Sequence, residues 1–330
     1  VNAGLTPWIV FIAAVATLLT IDLAVVGRGG KAMSTRSAYL WSALWITLGL
    51  SFSLAVWAWR GSQAAQEYLA GYLIEESLSI DNLFVFLLVF GSLGIALRYQ
   101  RKVLFWGILG AVLMRALFIF AGIEALERFS WIMYVFGAVL IITAVRLVRS
   151  HDVQVDPQRN PLVRLTKRFL PVADDYVGSK FTVRRAGKLF LTPLAIALVA
   201  VESADLVFAI DSVPAVLAVT DDAFVAFTSN VAAILGLRAL YFALAGSLQR
   251  FAYLSWGLAA VLAFVGAKML LADVFHVPVY VSLAVIAVCV GASIVASLWL
   301  TRGGRGEPPP AAEAAAAPEP ETAREGSPGS

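Results

Sequence analysis

Nine apolar runs, each about twenty residues long, divide the chain and leave it few ways to fold. A helix of that length is what crosses a hydrocarbon core about 30 Å thick. The runs can be drawn at 4–26, 39–59, 67–90, 103–122, 130–149, 190–211, 223–244, 254–271 and 279–300. They are continuous and rich in Leu, Ala and Val, where a transmembrane β-barrel would show short alternating segments. Composition agrees, with 60% hydrophobic and 14% charged residues, against about 25% charged in soluble domains. The expected fold is all-α, a polytopic transmembrane helix bundle of about nine spans.

Basic residues between the runs set an orientation, because Lys and Arg near span ends mark the cytoplasmic side. One side collects Arg28, Lys31 and Arg36, then Arg98, Arg101 and Lys102, then ten basic residues from Arg146 to Lys188, then Arg250 and the tail arginines 302, 305 and 324. The other side has Arg60 and Arg128. The alternation puts the N-terminus outside and the C-terminus in the cytoplasm. The net charge of +3 is thus a topology signal, and the bilayer, not a nucleic acid, is the expected surround. The first run is span-length and its basic flank follows it, so it reads as a retained helix and not a cleaved signal peptide. Val1 reads as a literally translated GTG start, which points to a bacterial inner membrane. The single Cys289 has no partner for an internal disulfide and is expected to pack in the last span.

Residues 1–300 therefore form one transmembrane domain with a cytoplasmic loop at 150–188. Residues 301–330, rich in Gly, Pro, Ala and Glu, cannot bury enough apolar area to offset chain entropy and are expected to be a disordered cytoplasmic tail. Within the loop, Pro161 precedes Leu162, Leu165 and Phe169 at helical spacing, with Arg164, Lys167 and Arg168 interleaved. This is either a short helix on the anionic inner leaflet or a solvated basic loop.

Two acidic segments interrupt the apolar runs. One is Glu75-Glu76-Ser77-Leu78-Ser79-Ile80-Asp81-Asn82; the other runs from Glu202 and Asp205 to Asp211-Ser212-Val213-Pro214. A carboxylate near the bilayer centre costs about 2.5–3.5 kcal/mol, so these six together cost about 15–20 kcal/mol unless paired, protonated or hydrated. Glu75, Ser79 and Asn82 share one helix face, while Asp81 points about 100° from Asn82. Glu202 and Asp205 lie about 60° apart, with Asp211 on the opposite side of a regular helix. Pro214 is expected to break that helix near 209–213 and so let Asp211 join.

The bland reading makes these acids ion-pair partners of Arg115 and Arg238. Six acids against two arginines and Lys268 leave three negative charges over, which favours a pathway for a cation or proton. Carboxylate, amide, hydroxyl and carbonyl oxygens suit hard ions such as Mn, Mg and Ca, while zinc and copper recruit imidazole or thiolate. The two histidines, His151 and His276, lie in connections. Protons or sodium stay open as the coupling ion. Asp22 is either a vestibule acid or a side chain that snorkels to water. Gly107, Gly110 and Gly236 are expected to be close helix contacts. No GxxxxGK[ST], HExxH or CxxC motif occurs, so ATP-driven pumping and zinc-protease chemistry lack support. Asp81 and Asp211 could imitate an aspartyl dyad, but the surplus acids fit a metal better, and no enzyme is expected.

Met114-Arg115-Ala116-Leu117-Phe118 resembles Leu237-Arg238-Ala239-Leu240-Tyr241, each following an acidic span. Spans 3–5 thus resemble spans 6–8, and an odd number of spans inverts the second copy. Such inverted repeats are typical of secondary transporters, whose site lies near the midplane.

At these residues the chain resembles the TerC/Alx family of integral membrane proteins, over about residues 15–300. The resemblance rests on Gly-Tyr-Leu-Ile-Glu-Glu-Ser-Leu-Ser-Ile-Asp-Asn-Leu-Phe-Val-Phe (71–86), on Gly107-Ile108-Leu109-Gly110 with Arg115, and on Val-Glu-Ser-Ala-Asp-Leu-Val-Phe-Ala-Ile-Asp-Ser-Val-Pro-Ala (201–215). Thr228-Ser229-Asn230 and the Arg238 segment complete it. The family pattern usually has lysine where this chain has Glu76, so Glu76 is set aside. The resemblance implies Mn²⁺ export and an association with tellurium resistance. Its metal-ligand set is Glu75, Asp81, Asn82, Glu202, Asp205, Asp211 and Ser212, with Asn230 as an addition and Arg115 and Arg238 as counter-charges. The expected function is export of a hard divalent cation, Mn²⁺, by alternating access, with proton exchange as one coupling, since carboxylates trade a metal for protons. No tightly bound cofactor is expected. The alternative is a non-transporting membrane component of a metal or tellurite stress-response assembly, with protein partners at the loop or tail.

Overall fold

The computed structural model describes residues 4–27, 35–149, 160–173, 178–185, 188–244, 254–275 and 277–300. Five long helices open the chain: α1 (Leu5–Gly27), α2 (Thr35–Arg60), α3 (Ser62–Ser92), α4 (Leu97–Arg128) and α5 (Ile132–Arg149). A short helix, α6 (Pro161–Phe169), and an antiparallel hairpin of β1 (Thr182–Arg185) and β2 (Lys188–Leu191) follow. Four more long helices close the described part: α7 (Pro193–Leu217), α8 (Ala223–Leu244), α9 (Leu254–Leu270) and α10 (Val279–Leu300). The long helices fall on the nine apolar runs. Six of them, α2, α4, α5, α7, α8 and α10, are long and apolar enough to cross a membrane by length and composition. The chain is all-α in its spanning part. Residues 301–330, His151 and His276 lie outside the described residues, as do the side chains of Asp22 and Asp81.

Helices satisfy their own backbone groups, so what remains is to pack them. α3 lies against α8 and α4 against α7; α3 also meets α7, and α4 meets α8. Exchanging α3 with α7 and α4 with α8 turns the α3–α8 pairing into α4–α7 and the reverse, and leaves the other two unchanged. The main core forms among these four, from Leu83, Phe86 and Phe90 of α3 through Val103 and Leu104 of α4 to Val201 of α7 and Leu237 and Tyr241 of α8. α5 and α9 form a second layer, where small residues bring backbones together. A Cβ on Gly137 would stand 3.0 Å from the carbonyl oxygen of Gly266, and one on Gly266 would stand 2.9 Å from that of Gly137. Outward faces carry exposed aliphatic and aromatic side chains, among them Leu54, Leu117, Val288 and Trp299. Apolar exposure on that scale suits lipid and not water.

Two local features differ from the sequence expectation. The apolar run drawn from 190 begins as strand, because Lys188–Leu191 pairs with Thr182–Arg185; α7 starts only at Pro193, after Thr192. The expected break at 209–213 does not form either. α7 runs through Pro214 to Leu217, and Ala218 N–H still donates to the Pro214 carbonyl at 2.9 Å. Val213, Val216 and Leu217 pack with Ile119 and Ala226; burial of these side chains, each worth about 1.5–3 kcal/mol, outweighs one missing helical bond.

The turns at one end of the bundle are tight. Gly61 alone separates α2 from α3, at φ 89°, a backbone conformation that favours glycine. Asp222 caps α8 by accepting from the N–H groups of Phe224 and Val225 at 2.9 and 3.1 Å, and it pairs with Arg60 at the end of α2.

Candidate functional site

The α3 carboxylate of Glu75 sits where the four central helices meet and has no exposure to solvent. Its Oε2 lies 2.6 Å from Nη1 of Arg115 on α4, and Nδ2 of Asn230 on α8 donates to the same oxygen at 3.0 Å. Arg115 Nη1 also donates to Asn230 Oδ1 at 3.2 Å, which closes a triangle. The amide orientation of Asn230 is fixed by this arrangement, since a flip would set NH₂ against guanidinium and oxygen against carboxylate. Ser79, one turn along α3, donates to Oε1 at 3.5 Å. α7 contributes Asp205, which is 3% exposed and within electrostatic range of both Glu75 and Arg115.

Asp205 also lines a small cavity whose other walls are apolar, among them Phe86, Leu104, Ile108, Val201 and Leu237. Glu202, a turn earlier on α7, lies within electrostatic range of Asp205 and over the backbone of α4. A Cβ on Gly110 would stand 2.1 Å from Glu202 Oε1, so the missing side chain of Gly110 is the room the carboxylate occupies. Gly107 faces Val201 and Gly236 faces Trp45, both as helix contacts. The glycine at 110 is therefore part of the site, where its sequence neighbours are packing.

Asp211 stands apart. Thr143 of α5 donates to its Oδ1 at 2.7 Å, and Arg146 is in electrostatic range. With α7 continuous, Asp211 keeps to the side of the helix opposite Glu202. Glu76 accepts a hydrogen bond from Tyr72, whose ring packs on Gly49 of α2. Lys268 donates to Ser282 at 3.1 Å and is in range of Asp221 and Glu67, so it belongs to the end of the bundle that holds Arg60 and Asp222, not to the centre. Arg238 is buried about 12 Å beyond Asn230 along α8, near Arg101.

The arrangement thus gathers Glu75, Arg115, Asn230 and Asp205, with Glu202 beside them, and leaves Asp211 on another face. Among the described residues, no three carboxylate, imidazole or thiol groups converge closely enough to hold one ion. Among the described residues of α3, α4 and α7, three buried polar atoms have no protein partner: Asn82 Nδ2, Arg115 Nε and Ser212 Oγ. Buried polar groups are almost always satisfied, so these three atoms stand out from the rest of the bundle.

Thr143 and Tyr72 carry no sequence signal, because a hydroxyl in an apolar helix names no partner. A different signal was present. The intervals of six and seven residues from Glu75 to Asp81 and Asn82 recur from Asp205 to Asp211 and Ser212. That correspondence pairs Glu75 with Asp205, the two carboxylates that the α3–α7 contact brings within range.

Residues 60–305 match the integral membrane protein TerC family. An uncharacterized membrane protein, STKORF319 of Myxococcus xanthus, is 48% identical over 295 residues, which cover 89% of this chain and 92% of that protein. The putative membrane-bound redox modulator Alx of Escherichia coli K12 is 42% identical over 303 residues, 89% of this chain and 94% of its own. An uncharacterized membrane protein of Rickettsia bellii is 39% identical over 278 residues, 84% and 92% of the two chains. No solved structure matches the chain.

Proposed function

Because the chain belongs to the TerC family of integral membrane proteins, we propose that it exports a hard divalent cation, Mn²⁺, from the cytoplasm by alternating access. The observation that carries this reading is the Glu75–Arg115–Asn230 triangle, with Asp205 beside it, set inside a bundle of apolar helices. Ionisable groups at membrane depth are costly and mark ion pathways. In this reading Arg115 is an internal cation. It neutralises Glu75 at one stage of the cycle and withdraws when the substrate ion takes its place, so the buried carboxylate is never left unpaired.

The proposed ligands are Glu75, Asp81, Asn82, Glu202, Asp205, Asp211 and Ser212, which supply oxygen only, the donor set that suits Mn²⁺ over zinc. Their separation makes the gathering of ligands itself a conformational step: Asp211 must leave Thr143 to reach an ion held by Glu75. Arg238 serves as counter-charge on the second half. Protons released by and returned to the carboxylates supply the coupling. The membrane is the bacterial inner membrane, with the N-terminus outside and the C-terminus cytoplasmic, and the role is transport and not catalysis.

Purified protein in liposomes tests this directly, by flux of Mn²⁺, Mg²⁺, Ca²⁺ and Zn²⁺ under two pH gradients. Mn²⁺ flux is expected in the native chain and absent in Asp211→Asn at unchanged expression. Unchanged cellular manganese on deletion of the gene would count against transport. The second reading is a membrane component that does not itself transport; the relative from Escherichia coli K12 carries the name redox modulator. It expects loop or tail truncation, and not loss of the acids, to be the damaging change.

A further inference from the structure

The segment joining α5 to α7 is the part of the structure that transport leaves unused. Between 160 and 192 the sequence carries seven Lys and Arg, all exposed, against two acidic residues, Asp174 and Asp175. On α6, Arg164, Lys167 and Arg168 alternate with Leu162, Leu165 and Phe169, which are 38%, 49% and 75% exposed. Val163, in contrast, is wholly buried in the main core. The helix is thus packed on the bundle by one side chain and presents basic and large apolar groups outward.

Its start is fastened more firmly. Asn160 Oδ1 accepts from Leu162 N–H and Val163 N–H at 2.9 and 3.3 Å, capping α6. The same side chain exchanges two hydrogen bonds with Ser203 of α7, Nδ2 to Oγ at 2.8 Å and Oγ to Oδ1 at 3.2 Å. Ser203 directly follows Glu202. One asparagine therefore holds both the helix and the acidic segment of the candidate site. Nearby, Lys102 of α4 pins the hairpin, donating to the Ser179 carbonyl and lying 4.6 Å from the Phe181 ring.

We infer that α6 is a membrane-surface helix that binds the anionic headgroups of the leaflet on its side of the bundle, and that this contact holds the Asn160–Ser203 latch closed. Three features select a lipid surface. α6 itself carries three basic side chains and no acidic one, so it complements anionic headgroups. Its apolar residues interleave with those charges at helical spacing, the pattern of a helix lying at the headgroup boundary. And α6 packs on α7, a helix long and apolar enough to span, so it is already at the bilayer. Each basic side chain near an anionic surface contributes roughly fivefold in binding, which makes the three of α6 together a substantial clamp.

The inference stands apart from the transport reading and is tested without measuring transport. The full chain is placed in vesicles of phosphatidylcholine alone or of phosphatidylcholine mixed with phosphatidylglycerol, and amide exchange is followed over 161–169. Exchange is expected to be at least about tenfold slower with phosphatidylglycerol, and raised salt is expected to remove the difference by screening. A variant with Arg164→Glu, Lys167→Glu and Arg168→Glu is expected to exchange alike in both lipids. For the latch, Asn160→Cys with Ser203→Cys in a Cys289→Ala background is expected to cross-link with a short thiol reagent in the mixed vesicles and to lose that yield in phosphatidylcholine. Equal exchange of the native chain in both vesicles, or a difference indifferent to salt, overturns the proposal and leaves this face to a protein partner. Lipid-independent cross-linking overturns the latch.

Discussion

Arg115 Nη1 and Glu75 Oε2 lie 2.6 Å apart with both side chains withdrawn from solvent, an ion pair closed within the bundle. Removing one member strands the other. Glu75→Gln is expected to cost about 3–5 kcal/mol, because Arg115 keeps its charge and loses its partner. Glu75→Gln combined with Arg115→Met is expected to recover a large part of that loss. Thermal unfolding of the purified protein in detergent checks both, and equal melting of the single and double variants would show that the pair is not what holds these helices.

Gly110 gives a sharper test of the site than any ligand does, because it changes no charge. Gly110→Ala places a methyl group where the Glu202 carboxylate now lies, so the carboxylate must turn away. Mn²⁺ flux is expected to fall about tenfold, the effect of misplacing a ligand through its support. Gly236→Ala is the control: its new methyl meets Trp45 at an ordinary 3.4 Å, and stability is expected to stay within about 0.5 kcal/mol. Flux and melting of the two variants side by side separate the cases.

Thr143 tests whether Asp211 works from its own face of α7. Thr143→Val removes the hydroxyl that donates at 2.7 Å and is expected to cost about 1.5 kcal/mol, the low end for a bond to a charged group because Asp211 is half-buried. Thr143→Ser, which keeps the donor, is expected to retain native melting and flux. Native behaviour in Thr143→Val as well would remove this bond from the account.

The α5–α9 contact is the place to break the second layer. Gly266→Leu drives a branched side chain into the Gly137 carbonyl and Leu140, and a loss of about 1–3 kcal/mol is expected from overpacking. Gly4→Leu, with nothing within 4 Å, is expected to melt as the native chain does. Unfolding midpoints in detergent decide it.

The helices were legible because span length and hydropathy are set by the bilayer and not by neighbours, and each long helix lies on its apolar run. The short helix after Pro161 was legible too, as one of two readings, since Leu162, Leu165 and Phe169 follow that proline at helical spacing; its Asn160 cap was seen only in the structure. The β1–β2 hairpin was not, because Leu189 and Leu191 read as the start of an apolar span when only composition is weighed. Pro214 misled for a related reason. A proline's effect on a helix depends on what the following turn buries, and Val216 and Leu217 have their partners on α4 and α8, far away in sequence. An ion pair between the acids and Arg115 was legible as one of two readings, but that Glu75 is the acid that takes it was not, since periodicity assigns a face to a side chain and not the neighbour across from it. Lys268 shows the same limit: its depth in the sequence suggested a central charge, and its hydrogen bond to Ser282 puts it elsewhere.

The joint between α2 and α3 consists of Gly61 alone, so there is no slack chain to absorb a sliding of one helix past the other. Any excursion of α3 relative to α2 must be a swing about that glycine, with Glu75 on a lever arm of about 21 Å, where a tilt of about 10° sweeps it through about 4 Å. Four ångströms is more than the length of the bond to Arg115. A modest rocking of one helix at its pivot is enough to exchange one partner of Glu75 for another.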